Sequence, residues 1–168
     1  SGPARAGRRR TGLPGDRRLR PQAGRGQRRM RTPLSADDMR WLHDGEKYGG
    51  LQLEPLLQLR LELCLHGYLS EGGTLRLGRL CVQQTDEHHA WQSTRLADAT
   101  EASQQTSTRV FQEAERVAHA LQRIGYFGPF GIDAFVYRDA QGNDVLNPRS
   151  EINARYSMGY AVGLQPAV

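Results

Sequence analysis

Leucine occupies every second position from residue 59 to residue 65, and polar or small residues lie between the leucines. A period of two is typical of a β-strand with one face on a core and the other in a more polar environment. The Ser-Glu-Gly-Gly sequence at residues 70–73 predicts a hairpin turn, so residues 74–84 are expected to return as the partner strand. Residues 85–102 are polar without a period and predict a long loop.

A helix is predicted between Ser103 and Ile124 because its apolar residues recur one helical turn apart. These residues are Val110, Ala114, Val117, Leu121 and Ile124. Gly125 follows, at a position where glycine commonly ends a helix. A short helix is predicted to begin at Ser35, with Asp38 as its reciprocal capping partner. A strand, a hairpin, a long helix and a last hairpin predict an α+β fold, with helices packed on one face of an antiparallel sheet.

The positive charge of the chain is concentrated at its beginning. Residues 1–31 contain eleven arginines and one aspartate, a charge of +10, whereas residues 32–168 contain twelve basic and seventeen acidic residues, a charge of −5. The first segment is rich in arginine, glycine, proline and alanine, and it has no hydrophobic period that would predict a packed core. We expect residues 1–31 to be disordered or to be the misread start of a GC-rich gene, and residues 32–168 to form one partial domain.

Cys64 and Cys81 have neither the number nor the spacing of a disulfide framework or a metal site, so we expect two reduced thiols near the core. No segment approaches the ~18 consecutive apolar residues of a membrane-spanning helix. The basic start is not followed by the apolar stretch of a secretory signal. The sequence therefore predicts a cytoplasmic protein without membrane contact.

Two further predicted strands carry the residues with the clearest chemistry. Asp133 lies in the first strand, and the sequence Glu-Ile-Asn-Ala-Arg at residues 151–155 forms the second. Because alternate side chains share a face, Glu151, Asn153 and Arg155 are expected to project together, and Asp133 joins them if the strands pair. Two carboxylates and an amide oxygen suit Mg²⁺ or Mn²⁺, and an arginine there could neutralise an anionic intermediate. The alternative is an ordinary polar sheet face with a surface ion pair.

The order of these motifs resembles the C-terminal half of the ATP-grasp superfamily over roughly residues 50–160. Members of this family use ATP to join a carboxylate to an amine or a similar nucleophile through an acyl phosphate. The resemblance implies that Glu54 and backbone groups near Leu57 receive adenine. It also implies that Glu62 binds the ribose.

The resemblance also implies roles for the phosphate loop and the two last strands. Gly24 and Gly26 are similar to the family's glycine-rich loop, whose backbone N–H groups bind phosphate. Asp133 and the Glu-x-Asn motif of Glu151 and Asn153 resemble the family's metal ligands. Arg155 is similar to an arginine found near the reaction intermediate in several members.

The sequence supports three hypotheses for function. The first is the ATP- and Mg²⁺-binding (or Mn²⁺-binding) part of a ligase, with a small carboxylate and an amine as substrates. The second is a catalytically incomplete module of the same fold, because arginines stand where the family has a lysine before its glycine-rich loop. It would bind nucleotide or a partner protein. The third, an arginine-rich nucleic-acid binder, is disfavoured because residues 1–31 lack interleaved aromatic residues. The sequence carries no signal for an oligomeric state.

Overall fold

The computed structural model describes residues 16–21, 28–47, 51–86 and 90–164. The chain divides into two compact units, Ser1–Leu57 and Gln58–Val168, and each contains its own sheet. The predicted phosphate loop with Gly24 and Gly26 lies outside the described residues. Within the described ranges, no helix is long and apolar enough to cross a membrane.

The first unit contains a three-stranded antiparallel sheet and one helix. Strand β1 (Asp16–Pro21) lies between β2 (Arg28–Arg31) and β3 (Leu51–Pro55). Helix α1 (Ala36–Glu46) begins with the predicted reciprocal cap. The Asp38 backbone N–H donates to the Ser35 hydroxyl at 3.1 Å, and the Ser35 N–H donates to the Asp38 carboxylate at 3.0 Å. These bonds satisfy N–H groups that the helix itself leaves without partners.

Two strands occur where the composition of residues 1–31 predicts no regular structure. Arg17 of β1 lies opposite Met30 of β2 and opposite Pro55 of β3. The backbone hydrogen bonds between paired strands do not require alternating apolar residues. The composition of residues 1–31 therefore does not predict these strands. The division between the units also falls after Leu57 rather than after residue 31.

The second unit is an antiparallel sheet covered by helices, which confirms the predicted α+β class. Its strands follow the order β7-β6-β4-β8-β9, and β5 pairs with another part of β4. The strands are β4 (Gln58–Leu69), β5 (Leu75–Leu77), β6 (Cys81–Thr85), β7 (Trp91–Leu96), β8 (Gly128–Arg138) and β9 (Asp144–Asn153). The helices are α2 (Gln104–Arg123) and the short α3 (Tyr160–Gly163).

The region of residues 74–102 differs from its prediction in two respects. The predicted return strand is divided into β5 and β6, and the predicted long loop contains strand β7. Strand β7 pairs only with β6 at the edge of the sheet, and its side chains are exposed or half-buried. An edge strand with little burial has no hydrophobic alternation, so the rule that identified β4 does not detect it.

The core of the second unit lies between α2 and one face of the sheet. Helix α2 buries Val110, Ala114 and Val117, as its period predicts, together with Ala118. Of the other two predicted positions, Leu121 is half-buried, whereas Ile124 is 79% exposed because the helix ends at Arg123. Leu63 and Leu65 of β4, with alternate residues of β8 such as Phe130, pack in the same cluster. Because side chains alternate along a strand, the intervening residues of β4 and β8 lie on the opposite face.

The core position of Phe130 gives a test of this packing. Its side chain is fully buried, whereas Phe127, three residues earlier, is 56% exposed. Phe130→Ala is expected to lower the free energy of unfolding by about 3–5 kcal/mol, because it removes buried apolar area and leaves a cavity. Phe127→Ala should change it by less than about 0.5 kcal/mol. Urea denaturation followed by circular dichroism measures both, and equal effects would contradict the assigned core.

Candidate metal and nucleotide site

The pairing of β8 with β9 brings the predicted metal ligands together. Asp133 lies opposite Glu151, and Gly131 lies opposite Asn153. The Asn153 side-chain Nδ2 donates a hydrogen bond of 3.1 Å to Asp133 Oδ2, so these side chains share one face of the sheet. Asn153 is only 7% exposed, whereas the Glu151 side chain is exposed. The face is the one that α2 does not cover.

Gln83 of β6 also contacts Asp133, and no motif in the sequence predicts this contact. Its Nε2 donates a hydrogen bond of 2.8 Å to Asp133 Oδ1. The two residues are fifty positions apart in the sequence. Alternation along β6 places Gln83 on the polar face with Cys81, but the partner becomes visible only once β6, β4 and β8 are known to be neighbours.

The electrostatic environment of Asp133 is unusual for a carboxylate. Burial, and then the nearby charge of Glu151, raise the pKa of Asp133 to about 6. The hydrogen bonds from Gln83 and Asn153 oppose this rise, and the charge of Glu62 adds to it. The raised pKa therefore reflects burial and neighbouring negative charge, which the two amide hydrogen bonds offset only in part.

The donor set fits a hard divalent cation that shares its coordination with other ligands. Asp133, Glu151 and the amide oxygen of Asn153 supply oxygen atoms, which Mg²⁺ and Mn²⁺ prefer. Across the described ranges, no group of three or more His, Cys, Asp or Glu residues is arranged to hold a metal. With two carboxylates and one amide, the site resembles Mg²⁺ sites in which substrate phosphates and water complete the coordination.

Glu62, the predicted ribose acid, lies on the same polar face. The Thr85 hydroxyl of β6 donates to its Oε1 at 2.8 Å, and its charge contributes to the raised pKa of Asp133. Glu54 and Leu57, the predicted adenine residues, are half-buried and belong to the first unit. Their roles, and that of Glu62, stay predictions.

Arg155 does not lie on the strand that carries Glu151 and Asn153. Strand β9 ends at Asn153, and the chain bends over the next two residues. The exposed Arg155 guanidinium donates to the Tyr156 carbonyl at 3.2 Å. The alternation that would place Arg155 beside Asn153 therefore does not reach it, because alternation requires extended backbone. Its role near an intermediate stays a prediction.

Further along this face, beside the carboxylates, buried neutral groups form a compact cluster. Cys64 Sγ lies 3.4 Å from His66 Nε2, and His66 Nδ1 lies 3.3 Å from Ser157 Oγ. Burial lowers the pKa of His66 to about 4, so the imidazole is neutral at pH 7. A hydrogen bond with Cys81, and then burial, raise the pKa of Cys64. Both cysteines are free and buried, which confirms the prediction of reduced thiols near the core.

A glycine allows this cluster to form. A Cβ atom at Gly131 would lie 3.1 Å from both His66 Nδ1 and Ser157 Oγ, closer than most such contacts in proteins. Gly131 comes two residues before Asp133 on β8. The absence of a side chain there lets the segment after β9 approach His66 next to the carboxylates.

Solved structures of a synthetase and of two biotin carboxylases share the fold of most of this chain. The N5-carboxyaminoimidazole ribonucleotide synthetase of Thermus thermophilus matches with TM-score 0.56 and 20% identity over 85% of this chain and 35% of its own. The biotin carboxylase of Campylobacter jejuni, solved with β-γ-ATP, matches with TM-score 0.60 and 17% identity over 88% of this chain and 33% of its own.

A third match is the biotin carboxylase domain of the Hydrogenobacter thermophilus 2-oxoglutarate carboxylase, solved with MgADP, ADP and bicarbonate. Its TM-score is 0.58 at 16% identity, over 84% of this chain and 31% of that one. No protein-family model and no curated protein sequence matches the chain.

These matches are to ATP-grasp enzymes, and they confirm the structural resemblance that the motifs predict. The chain has the fold of one part of an ATP-grasp enzyme, and it spans 35% or less of the length of each of the three chains compared. The six-stranded sheet with Asp133, Glu151 and Asn153 on its polar face lies within the second unit.

The raised pKa of Asp133 predicts how stability depends on pH. Its folded value of about 6 lies above its ordinary value of 3.8, so the charged carboxylate destabilises the folded state at neutral pH. This destabilisation is absent below about pH 4 and grows as the pH rises to about 6. Without divalent cations, Asp133→Asn should therefore stabilise the protein by about 2–3 kcal/mol at pH 7.5 and by little at pH 4.

Urea midpoints at pH values from 4 to 7.5 measure this effect. Glu71→Gln, in an exposed turn, removes a carboxylate without changing the site, and its midpoints should follow those of the unsubstituted protein. A stabilisation by Asp133→Asn that is the same at pH 4 and pH 7.5 would contradict the assigned ionisation.

Proposed function

We propose that the chain is the ATP- and Mg²⁺-binding portion of an ATP-grasp ligase. The observation that carries the proposal is the convergence of Asp133, Glu151 and Asn153 on one face of an ATP-grasp sheet. Their oxygen atoms form a partial coordination set that a nucleotide's phosphates would complete. A cation held there would neutralise phosphate charge, which is the main requirement of phosphoryl transfer.

Residues of the second unit would bind the cation and the ribose of the Mg·ATP complex. Asp133, Glu151 and Asn153 hold the cation, and Mn²⁺ serves as well as Mg²⁺ because both prefer oxygen ligands. Glu62, fixed by the Thr85 hydroxyl, accepts hydrogen bonds from the ribose of ATP. In the first unit, the resemblance implies that Glu54 and the backbone near Leu57 bind adenine and that Gly24 and Gly26 bind phosphate, and these roles stay predictions.

The acid substrate that we propose is bicarbonate or a small carboxylate. The Hydrogenobacter thermophilus domain was solved with bicarbonate beside its nucleotides. Transfer of the γ-phosphoryl group of ATP to an oxygen of either acid would release ADP and give an acyl phosphate. Attack of an amine on its acyl carbon would then form the C–N bond and release phosphate. The exposed guanidinium of Arg155 supplies positive charge to the acyl phosphate, whose charge is greatest during reaction.

A second candidate function is a module that binds nucleotide without catalysing ligation. Lys47 is the single lysine of the sequence, and its Nζ contacts Asp44 Oδ1 at 3.0 Å within the first unit. Residues 58–168 therefore contain no lysine that could bind phosphate. ADP release in the presence of bicarbonate and amines separates the ligase from the module, because both bind ATP with Mg²⁺.

Glu151→Gln tests the proposed cation site. The change removes one charged ligand and should weaken Mg²⁺-dependent ATP binding at least about tenfold, because the site has only two carboxylates. Little loss of stability is expected, since the Glu151 side chain is exposed. Isothermal titration with ATP, with and without Mg²⁺, measures the affinity.

Glu115→Gln is the matched control for this experiment. Glu115 is an exposed residue of α2, on the other side of the sheet, and its substitution makes the same change in net charge. The control should bind Mg·ATP like the unsubstituted chain. If the folded Glu151→Gln protein also keeps its Mg²⁺-dependent affinity, the metal assignment is wrong.

Arg155→Ala tests the proposed contact with the intermediate. If the guanidinium stabilises charge that develops during reaction, kcat for ADP release should fall by roughly 10²-fold, with ATP affinity little changed. Arg123→Ala, near the exposed end of α2, is the control for the loss of one positive charge. Unchanged kcat with reduced stability or ATP affinity would assign Arg155 a structural role instead.

A further inference from the structure

The contact between Gln83 and Asp133 affects which divalent cation the proposed site binds most tightly. We infer that Gln83 is a positioning residue that makes the site select Mg²⁺ and Mn²⁺ over Ca²⁺. The inference rests on the proposed cation site and adds to it a residue that belongs to none of the predicted motifs. Gln83 would act through Asp133 and not as a ligand itself.

Asp133 is held at both of its carboxylate oxygens. The Gln83 amide donates to Oδ1 at 2.8 Å from β6, and the Asn153 amide donates to Oδ2 at 3.1 Å from β9. These donors come from strands on opposite sides of β8 in the sheet order. A carboxylate with a charge-assisted hydrogen bond at each oxygen has a fixed plane and little freedom to rotate.

Strand β4, which lies between β6 and β8, leaves room for the contact between Gln83 and Asp133. Cys64 of β4 lies opposite Asp133 on one side and opposite Cys81 on the other. Its side chain is small and fully buried, so Gln83, two residues beyond Cys81, can reach across β4 to Asp133.

Restricted rotation of Asp133 favours a small cation. Mg²⁺ requires near-ideal octahedral geometry and takes one oxygen from each carboxylate, whereas Ca²⁺ accepts irregular coordination and often binds both oxygens of one carboxylate. Asp133 uses one lone pair of each oxygen for an amide N–H, which opposes chelation through both oxygens. Loss of the Gln83 donor frees Oδ1, so it should weaken Mg²⁺ binding more than Ca²⁺ binding.

Competition for bound Mn²⁺ measures this selectivity without any enzymatic assay. The full chain is titrated with Mn²⁺, free Mn²⁺ is followed by electron paramagnetic resonance, and Mg²⁺ or Ca²⁺ is then added as competitor. Gln83→Met keeps the length of the side chain but removes the N–H donor. The ratio of Mg²⁺ to Ca²⁺ affinity should fall roughly tenfold, the size typical for loss of a group that orients a metal ligand.

Gln84→Met is the matched control. Gln84 is the next residue of β6, on the other face of the strand, and its side-chain oxygen accepts a hydrogen bond from the Ser93 hydroxyl. Gln84→Met should therefore leave the ratio of Mg²⁺ affinity to Ca²⁺ affinity unchanged. If Gln83→Met does not fold, Gln83→Leu also removes the donor without adding a charge or a metal ligand, and its ratio should also fall.

The possible outcomes separate the inference from the function on which it rests. An unsubstituted chain that binds no Mn²⁺ overturns the proposed cation site and the inference with it. If that chain binds Mn²⁺ and the folded Gln83 variant keeps the ratio, only the inference is overturned. Equal weakening of Mg²⁺ and Ca²⁺ would likewise assign Gln83 a structural role and overturn the selectivity.

Discussion

The antiparallel pairing of β4 with β8 determines both the core and the candidate site. It places Leu63 and Leu65 with Ile132 on the face that α2 covers, and it places Cys64 opposite Asp133 on the other face. A shift of one residue in this register would exchange the two faces, because side chains alternate along a strand. The register therefore has to be kept for the core to form and for the carboxylates to meet. Burial of the leucines and Phe130 supplies the free energy that keeps it.

The carboxylates of the polar face lower the stability of the folded protein at neutral pH. A half-buried Asp133 whose pKa is raised by burial and by Glu151 opposes folding at neutral pH, and its two amide partners reduce that opposition without removing it. The apolar contacts of α2 on the other face offset it. Electrostatic destabilisation of this kind is typical of functional sites, where residues contribute to ligand binding at the expense of the stability of the unliganded protein. A purely structural polar face would not need carboxylates so close together.

The sequence predicts those elements whose residues interact locally or show a clear period. Helix α2 was predictable because its apolar period lies within one segment, and β4 because its leucines alternate. The pairing of Asp133 with Glu151 could also be expected from two neighbouring strands joined by a short turn. These features can be predicted from local sequence, without knowledge of the rest of the fold.

The unpredicted features depend on distant pairings or on where an element ends. The Gln83 contact requires β6 and β8 to be placed on either side of β4, which no short segment specifies. Strand β7 was missed because an exposed edge strand has no apolar face. Arg155 was assigned to the polar face because nothing in the sequence Asn-Ala-Arg indicates that the strand ends at Asn153. Where a strand ends therefore matters as much for the site as which residues it contains.

The carboxylate cluster bears directly on the choice between a ligase and a nucleotide-binding module. Burial, and then the charges of Glu151 and Glu62, raise the pKa of Asp133, whereas burial lowers the pKa of the neighbouring His66, which is neutral and offers no positive charge. Residues 58–168 contain no lysine, so the nearby negative charge has to be met by arginine, by protons or by a bound cation. A divalent cation satisfies this need in either hypothesis. The two hypotheses therefore share the cation site and differ in whether positive charge also reaches the phosphate that is transferred. Arg155, whose exposed guanidinium donates to the Tyr156 carbonyl beyond the end of β9, is the residue that we propose for that step.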